Sequence, residues 1–223
     1  MVPAAGIGER ARTNESDPPK QFVTLGGRPM FMWAVDALLM AGCDPVVLVV
    51  PPVMIDTAQA LTEMPGAIQF TGGGATRQES VSHGLERVTT DAVVVHDAAR
   101  PFVTGDLVRD VMAALEDADA VVAAVPMDET LKRATVGDAP VTVKGTVDRS
   151  DLWRAQTPAA FRTEVLRDAH SRARAEGFVG TDESSLVERY GGVVRVVLGT
   201  RSNLKVTFPE DFAVAEAMMA TRK

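Results

Sequence analysis

Two short stretches of this chain bring together residues suited to phosphate chemistry. The first is Val2-Pro3-Ala4-Ala5-Gly6-Ile7-Gly8-Glu9-Arg10, followed after a polar loop by Pro19-Lys20-Gln21-Phe22. An apolar entry, like the end of a strand, runs into a Gly-x-Gly pair where backbone without Cβ atoms can turn tightly. Successive amides of such a loop can point at anionic oxygens, and Arg10 and Lys20 add full positive charge. The second is His96-Asp97-Ala98-Ala99-Arg100-Pro101, directly after an apolar run. An Asp at the carboxyl end of a strand, facing phosphates, is how a site holds Mg²⁺ with few protein ligands. The pattern describes a loop for phosphates and a reaction at one of them.

Gly-x-Gly also opens dinucleotide folds, and Ala11 at the third position is tolerated there. A dinucleotide site, however, wants a helix straight after the loop and an acid at the end of the second strand. Here Thr13-Asn14-Glu15-Ser16-Asp17-Pro18-Pro19 breaks any helix at once, and the second strand ends in Val49-Val50-Pro51. The dinucleotide reading fails on both counts.

The elements that must position these residues follow from periodicity. Gly26-Gly27-Arg28-Pro29 reads as a turn, with Pro29 placed for the first turn of a helix over Met30–Ala41 that Gly42 ends. Pro45–Val50 is a continuous apolar run, the mark of a strand buried on both faces. A helix about Val53–Glu63, a short strand about Ala67–Phe70, a helix about Arg77–Arg87 and a buried strand Ala92–His96 come next. Helix Thr104–Glu116 and strand Ala120–Pro126 continue the alternation. Helices Thr163–Glu176 and Asp182–Tyr190, strand Val193–Leu198 and a helix from Pro209 to about Ala220 complete it. Strand and helix in turn, with apolar strands, predict an α/β protein with a mostly parallel sheet and helices on both faces. The first strand has only a stub in Met1-Val2.

The alternation fails over 127–149. Glu129–Val136, a Gly137-Asp138-Ala139-Pro140 turn and Val141–Val147 predict a two-stranded hairpin. An isolated hairpin is marginal in water, so it is expected to pack on something else, a dimer partner being the natural candidate. The whole of 1–223 is read as one domain with this arm.

Composition narrows the partners. The 223 residues are 46% hydrophobic and 24% charged, as in ordinary soluble proteins. With 23 basic and 30 acidic residues the formal charge is −7, which argues against a broad nucleic-acid surface and makes a basic pocket conspicuous. Cys43 is the only cysteine, so neither an intramolecular disulfide nor a cysteine metal cluster can form. No long apolar run spans a membrane and no signal peptide is visible, so a cytoplasmic protein is expected.

In open parallel sheets, ligands bind beyond the carboxyl ends of the strands. Several polar clusters lie at such points and can converge. Thr71-Gly72-Gly73-Gly74-Ala75-Thr76-Arg77-Gln78-Glu79-Ser80 lets backbone press against a flat ligand such as a base. Thr157-Pro158, Thr181-Asp182-Glu183 and Ser202-Asn203-Leu204-Lys205 add polar groups between elements. Plainer readings stand beside these. Asp97 could cap a helix, Arg100 could form a surface ion pair, and Thr181 and Asp182 are good N-cap types. His83 and His170 fall inside helices and read as structural or solvated. His96 beside Asp97 could tune it. Cys43 reads as buried filler. No Ser-His-Asp or Cys-His set is arranged for nucleophilic catalysis.

These runs, taken in order, resemble a known family over nearly the whole chain. Pro3-Ala4-Ala5-Gly6-x-Gly8-x-Arg10 with Pro19-Lys20-Gln21 is similar to the signature of the cytidylyltransferases of the methylerythritol phosphate pathway. His96-Asp97-Ala98-Ala99-Arg100-Pro101 resembles that family's second signature. Val147-Asp148-Arg149, Gln156-Thr157-Pro158, Thr181-Asp182-Glu183 and Asn203-Leu204-Lys205-Val206-Thr207 resemble later ones. A sister family acting on ribitol 5-phosphate shares most of these. The Pro-Ala-Ala-Gly loop and Ala98-Ala99 before Arg100 favour the methylerythritol enzymes.

The resemblance implies a homodimer of Rossmann-like nucleotidyltransferase subunits with an exchanged hairpin arm over 127–149. It implies transfer of CMP from CTP to 2-C-methyl-D-erythritol 4-phosphate with release of pyrophosphate. Carried over by position, Ala4, Ala5, Gly74 and Ser80 would hold cytosine and ribose, and Gly6, Gly8, Arg10 and Lys20 the triphosphate. Asp97 would bind Mg²⁺, or another divalent cation, with the phosphates. Arg100, Thr157, Thr181 and Lys205 would shape the acceptor site, and Thr130 and Arg149 would reach it from the partner's arm. Arg10, Lys20 and Lys205 would be the catalytic cations. Two positions depart from the family pattern. Ala75 stands where an Asp near cytosine is common, and the loop between Arg10 and Lys20 is longer, with Asn14-Glu15-Ser16-Asp17 added. The alternatives are the same chemistry on ribitol 5-phosphate or another polyol phosphate, and a catalytically silent nucleotide sensor on the same scaffold.

Overall fold

The structure is a computed structural model that describes residues 1–6, 18–62, 66–135, 137 and 140–221. Strand β1 (Val2–Pro3) leads into the glycine loop. A 3₁₀ turn at Lys20–Phe22 and a small hairpin of β2 (Thr24–Leu25) and β3 (Arg28–Pro29) precede helix α1 (Met30–Met40). Strand β4 (Val46–Val50) is followed by a 3₁₀ turn at Pro52–Met54, α2 (Ile55–Ala60), β5 (Ile68–Gly72) and α3 (Arg77–Leu85). Then come β6 (Ala92–Val95), α4 (Gly105–Ala113) with a 3₁₀ extension over Ala114–Asp117, and β7 (Ala120–Pro126). The arm carries β8 (Lys132–Ala134) and β9 (Val143–Thr146). Strand β10 (Trp153–Arg162), α5 (Thr163–Glu176), α6 (Glu183–Arg189), β11 (Val194–Leu198) and α7 (Pro209–Thr221) complete the order.

The sheet forms in two parts. β1, β4 and β5 pair in parallel in the order β1-β4-β5. The second part has the order β11-β7-β10-β6. The two adjoin where the His96 N–H donates to the Met1 carbonyl at 3.0 Å. Of the seven strands only β10 runs against its neighbours, β6 and β7, and β11 is parallel to β7. The expected mostly parallel sheet is therefore present.

Helices cover both faces because the strands are apolar on both. All of β4 is buried, and its side chains alternate between two cores. Val46, Leu48 and Val50 pack with Phe31, Val35 and Leu38 of α1 and Leu107, Val108 and Val111 of α4. Val47 and Val49 pack with Val81 and Leu85 of α3, Leu166, Ala169 and Ala173 of α5, and Leu186 and Val187 of α6. Each such large side chain contributes about 1.5–3 kcal/mol on burial. Truncating fully buried Phe161 to Ala costs about 3–5 kcal/mol. Cys43 is half-buried against the first core. A third cluster, with Leu25, Met30, Ala99, Phe102, Val206, Ala215 and Met219, ties α7 and the β2–β3 hairpin to the loop after β6. That hairpin turns on Gly26 and Gly27, both at positive φ (59° and 84°), as a two-residue primed turn requires.

Four expectations need correction. The segment around Thr157-Pro158 is not a connection: it lies inside the ten-residue strand β10. A proline within a run normally argues against a strand. Here the β10–β7 register shifts between Ala155 and Ala159, and at such an irregularity no ladder N–H is needed. Pro29 is the N-cap of α1 rather than its first residue. The helix placed at Val53–Glu63 is a 3₁₀ turn plus the short α2, and Glu63 lies outside the described residues. α3 ends at Leu85, earlier than periodicity suggested, whereas α4 with its 3₁₀ extension stays helical to Asp117. The hairpin arm is present, and both faces of β9 are exposed. Val136, Asp138 and Ala139 of its turn lie outside the described residues. No described helix is long and apolar enough to cross a membrane.

Candidate active site

A cleft of about 750 Å³ opens where the carboxyl ends of β1, β4, β5 and β6 meet the loop before α7. Its lining includes Ala4, Ala5 and Gly6 after β1, Pro51 and Pro52 after β4, Gly74 to Arg77 and Ser80 after β5, and Asp97 to Ala99 after β6. Lys20, Gln21, Lys205 and Thr207 complete it. The structure thus gathers Ala4, Ala5, Gly6, Lys20, Gly74, Ser80, Asp97 and Lys205, eight of the residues singled out in the sequence. Gly8 and Arg10 lie outside the described residues, as does the Asn14–Asp17 insertion.

The glycine-rich segment after β5 packs against the β1 loop more closely than any side chain permits. A Cβ on Gly73 would sit 2.1 Å from the Ala5 Cβ and 2.8 Å from the Ser80 Oγ, and one on Gly74 would sit 2.5 Å from the Glu79 Cβ. Ser80 fastens this segment: its hydroxyl donates to the Thr76 carbonyl (2.9 Å) and accepts the Gly74 N–H (3.2 Å). Thr76 and Glu79 form a reciprocal capping box at the start of α3, and the Glu79 carboxylate also accepts the Ala75 N–H at 2.7 Å. The Thr-x-x-Glu spacing was a legible signal for that box. On the other side, buried Gln21 donates to the carbonyls of Ala4 and Gly6, the latter at 2.7 Å. Lys20 donates to the Val206 carbonyl at 2.7 Å, which ties the β1 loop to the segment before α7.

The polar centre is Asp97, buried at the end of β6. Its Oδ2 accepts from Lys205 Nζ at 2.7 Å, and its Oδ1 from Arg77 Nη2 at 2.9 Å and Nε at 3.3 Å. Burial alone would push this carboxyl up, but Arg77 and Lys205 hold it well below the usual carboxylate range. The Asp97 N–H donates to the Thr157 Oγ1 at 3.0 Å, so Thr157 stands behind Asp97 rather than in the cleft lining. Arg77 also reaches Glu183, its Nη1 lying 2.6 and 2.7 Å from the two carboxylate oxygens. Burial raises the Glu183 carboxyl above its ordinary value against the pull of Arg77. Sequence reasoning gave no role to Arg77, Gln21 or Glu183, although Gln21 and Glu183 stand in runs that carry the family resemblance. The only hint at Arg77 was an arginine at a helix start, separated from a glycine run by Ala75 and Thr76.

Arg100 is buried beside this centre and does not line the cleft. Its Nη1 donates to the Asn203 carbonyl (2.8 Å), and the Asn203 amide in turn donates to the Thr157 carbonyl (2.7 Å). Burial lowers the Arg100 pKa. His96 is fully buried, and burial pushes it down to about 4, so it is neutral at pH 7. Its Nε2 lies 3.0 Å from the Arg100 carbonyl, which only accepts, so the proton is assigned to Nε2. That role is structural. His83 Nδ1 faces the Gly72 carbonyl at 3.1 Å, and His170 is buried in α5. Thr181 is exposed ahead of α6, whose N-cap is Asp182. Thr130 and Arg149 are exposed on the arm and do not line the cleft; Arg149 donates to the Asp128 carbonyl.

Among the described residues no group of three acidic, histidine or cysteine side chains is placed to hold a metal. Among the described residues Asp97 is the one carboxylate that lines the cleft. Each of its oxygens retains lone-pair capacity beside its cationic partner. A divalent ion that takes most of its ligands from phosphates and water fits such a site. Lys20, Arg77 and Lys205 around a single acid make the cleft locally basic in a chain of net charge −7, which favours a polyanionic ligand.

Comparison with known proteins gives a consistent result. A family model described as 2-C-methyl-D-erythritol 4-phosphate cytidylyltransferase matches residues 1–221. A protein of that name from Aquifex aeolicus is 41% identical over 219 residues, 98% of this chain and 96% of its own. Another, from a Synechococcus species, is 41% identical over 227 residues, 100% of this chain and 97% of its own. The crystal structure of a 2-C-methyl-D-erythritol 4-phosphate cytidylyltransferase from Thermus thermophilus superposes with a TM-score of 0.81 at 33% identity, covering 98% of this chain and 97% of that one.

Proposed function

The chain belongs to the 2-C-methyl-D-erythritol 4-phosphate cytidylyltransferase family, and from that premise we propose how its cleft carries out the reaction. The activity is transfer of the cytidylyl group of CTP to 2-C-methyl-D-erythritol 4-phosphate. An acceptor phosphate oxygen attacks the α-phosphorus as the bond to pyrophosphate breaks. The acceptor is already anionic, so no strong general base is required. The difficulty is to bring two anions together and to stabilise charge at the α-phosphorus, which positioning and electrostatics can supply.

The observation that carries this reading is Asp97 bonded by Arg77 and Lys205 at the carboxyl ends of the strands, in a cleft that Lys20 also lines. The Ala4-Ala5-Gly6 loop and Gly74 form a close-packed backbone slot for the nucleoside, with Ser80 holding its shape. Lys20 neutralises charge on the phosphoryl oxygens. Lys205, exchanging Asp97 for the acceptor phosphate, holds the nucleophile, and Arg100, Thr157 and Thr181 shape the acceptor side. Arg10 is proposed beside Lys20, with Gly8 contributing an amide. Asp97 is the residue that would hold Mg²⁺, which when bound supplies charge neutralisation and orientation of the triphosphate.

Thr130 and Arg149 sit on an exposed hairpin whose Val141 and Val143 are each more than half exposed. A two-stranded ribbon of this kind is marginal alone. The arm over 127–149 is therefore proposed to pack on a second copy of the chain, with Thr130 and Arg149 reaching the partner's acceptor site. A cytoplasmic homodimer without nucleic-acid or membrane partners accords with the acidic charge.

The test is pyrophosphate release with CTP, Mg²⁺ and each acceptor in turn, with ATP, GTP and UTP as controls. CTP-dependent turnover with 2-C-methyl-D-erythritol 4-phosphate supports the assignment. Turnover only with ribitol 5-phosphate moves the acceptor and keeps the mechanism. CTP binding with no turnover on any acceptor overturns both.

A further inference from the structure

The most heavily bonded side chain at the cleft is one that the reaction as described does not require to touch substrate. Arg77 opens α3 and spans two carboxylates from different elements. Its Nε and Nη2 hold Oδ1 of Asp97, and its Nη1 holds both oxygens of Glu183. Glu183 is 4% exposed and does not line the cleft. The next residue, Gln78, fastens the same helix turn to the loop before α6: it donates to the Phe178 carbonyl at 3.1 Å and accepts the Gly180 N–H at 3.0 Å. The first turn of α3 and the start of α6 therefore form one bonded unit directly behind Asp97.

Stability is a poor account of this arrangement. Removing charges from water is costly, and a buried ion pair is often replaceable by apolar groups without loss. Geometry is a better one. Lys205 is a point charge on a stem whose side chain is 41% exposed, so it neutralises Asp97 without fixing its orientation. A guanidinium is a rigid planar fork, and one anchored at its far end by a buried carboxylate can fix the rotamer of another at its near end.

We propose that Arg77 and Glu183 are a positioning pair for Asp97: Glu183 anchors the guanidinium, and the guanidinium aims the free lone pairs of Asp97 at the cation accompanying the nucleotide. This rests on the reading of Asp97 as the carboxylate that holds the divalent cation. Partners that orient a ligating group in this way typically change metal affinity or activity by about 10–100-fold when altered.

The experiment uses full-length Arg77→Lys and Glu183→Gln proteins. Arg77→Lys keeps the cleft charge but cannot span both carboxylates. Glu183→Gln removes the anchor without touching the cleft. Mn²⁺ binding is measured calorimetrically in the presence of a CTP analogue with a non-scissile α,β-methylene bridge, alongside the Mg²⁺ dependence of turnover and the thermal midpoint. The expected result is half-saturating Mn²⁺ raised about 10–100-fold in both variants, with analogue affinity at saturating Mn²⁺ unchanged. If Arg77→Lys fails to fold, Glu183→Gln decides alone. Wild-type Mn²⁺ affinity in the variants, while Asp97→Asn is weakened, overturns the pair and leaves Asp97 in its role. Wild-type affinity in Asp97→Asn as well removes the reading of Asp97, and the proposal with it.

Discussion

Around the cleft, Asp97 accepts from two cations, Gln21 clamps two carbonyls of the β1 loop, and Ser80 and Glu79 hold the glycine segment from within. On the arm, every residue of β9 is exposed, and the side-chain bonds are peripheral, such as Lys132 to Thr146 (2.6 Å) and Arg149 to the Asp128 carbonyl. The two regions carry groups proposed for the same reaction. One is preorganised by its own subunit, with charges partly buried where electrostatics are strong. The other holds Thr130 and Arg149 in water, where an isolated charge is worth little. The difference teaches that the described groups of the cleft are held by bonds within their own chain, while the arm's proposed contribution depends on a surface outside it.

The contrast breaks first at Lys20. Lys20→Ala should fold normally and lose turnover by about 10²–10³, because a preorganised cation is removed from the cleft. Near-native steady-state turnover would show that the cleft is not the reacting site.

The next effect separates the body of the molecule from the arm by pH. Burial pushes both His96 and His170 down to about 4 from an ordinary 6.5, and the arm holds no histidine. Between those values the unfolded chain binds protons that the folded chain does not. The histidines' contribution to stability is therefore full above about pH 6.5 and falls as the pH drops toward 4, by on the order of 3 kcal/mol per histidine. Asp97, held far below its usual range, stays charged throughout and adds nothing in this window. Urea melts at pH 7 and pH 4.5 measure it, and a flat profile would mean the imidazoles titrate in place.

Smaller again is Gly73→Ala. Its Cβ would meet Ala5 at 2.1 Å, so the two loops must part. A loss of about 1–3 kcal/mol in urea melts and weakened CTP binding by titration are expected. Unchanged CTP affinity would show that their close approach is not what shapes the slot. Smallest on stability is Arg149→Ala, which should stay within about ±0.5 kcal/mol of wild type. Activity should still fall, and mixing it with Lys20→Ala should restore part of the turnover through mixed dimers. No recovery in that mixture would place the arm's contribution within its own subunit.

Much of this fold was legible. Runs such as Val46–Val50 and Ala120–Val125 are buried on both faces, so they carry no polar alternation and announce a covered parallel sheet. β10 was hidden because Pro158 interrupts it and its first three residues are exposed. Only the irregular register opposite β7 lets a proline sit there. Asp97 was visible from its place after an apolar strand, and Lys20 from its place after the glycine loop. Arg77 and Glu183 were not, because an ion pair 106 residues apart in sequence leaves no local pattern.

The sequence by itself determined most of the strands and helices, β10 apart, the glycines where backbone must pass close, and the residue types that can manage phosphate charge. These are local matters of periodicity, sterics and ionisation. The tertiary structure decided which of those charges meet. It set Lys205 and Arg77 on the two oxygens of Asp97, Thr157 behind it and Glu183 beneath. Contacts between distant segments depend on strand order and helix placement, and these are properties of the packed sheet rather than of any stretch of chain.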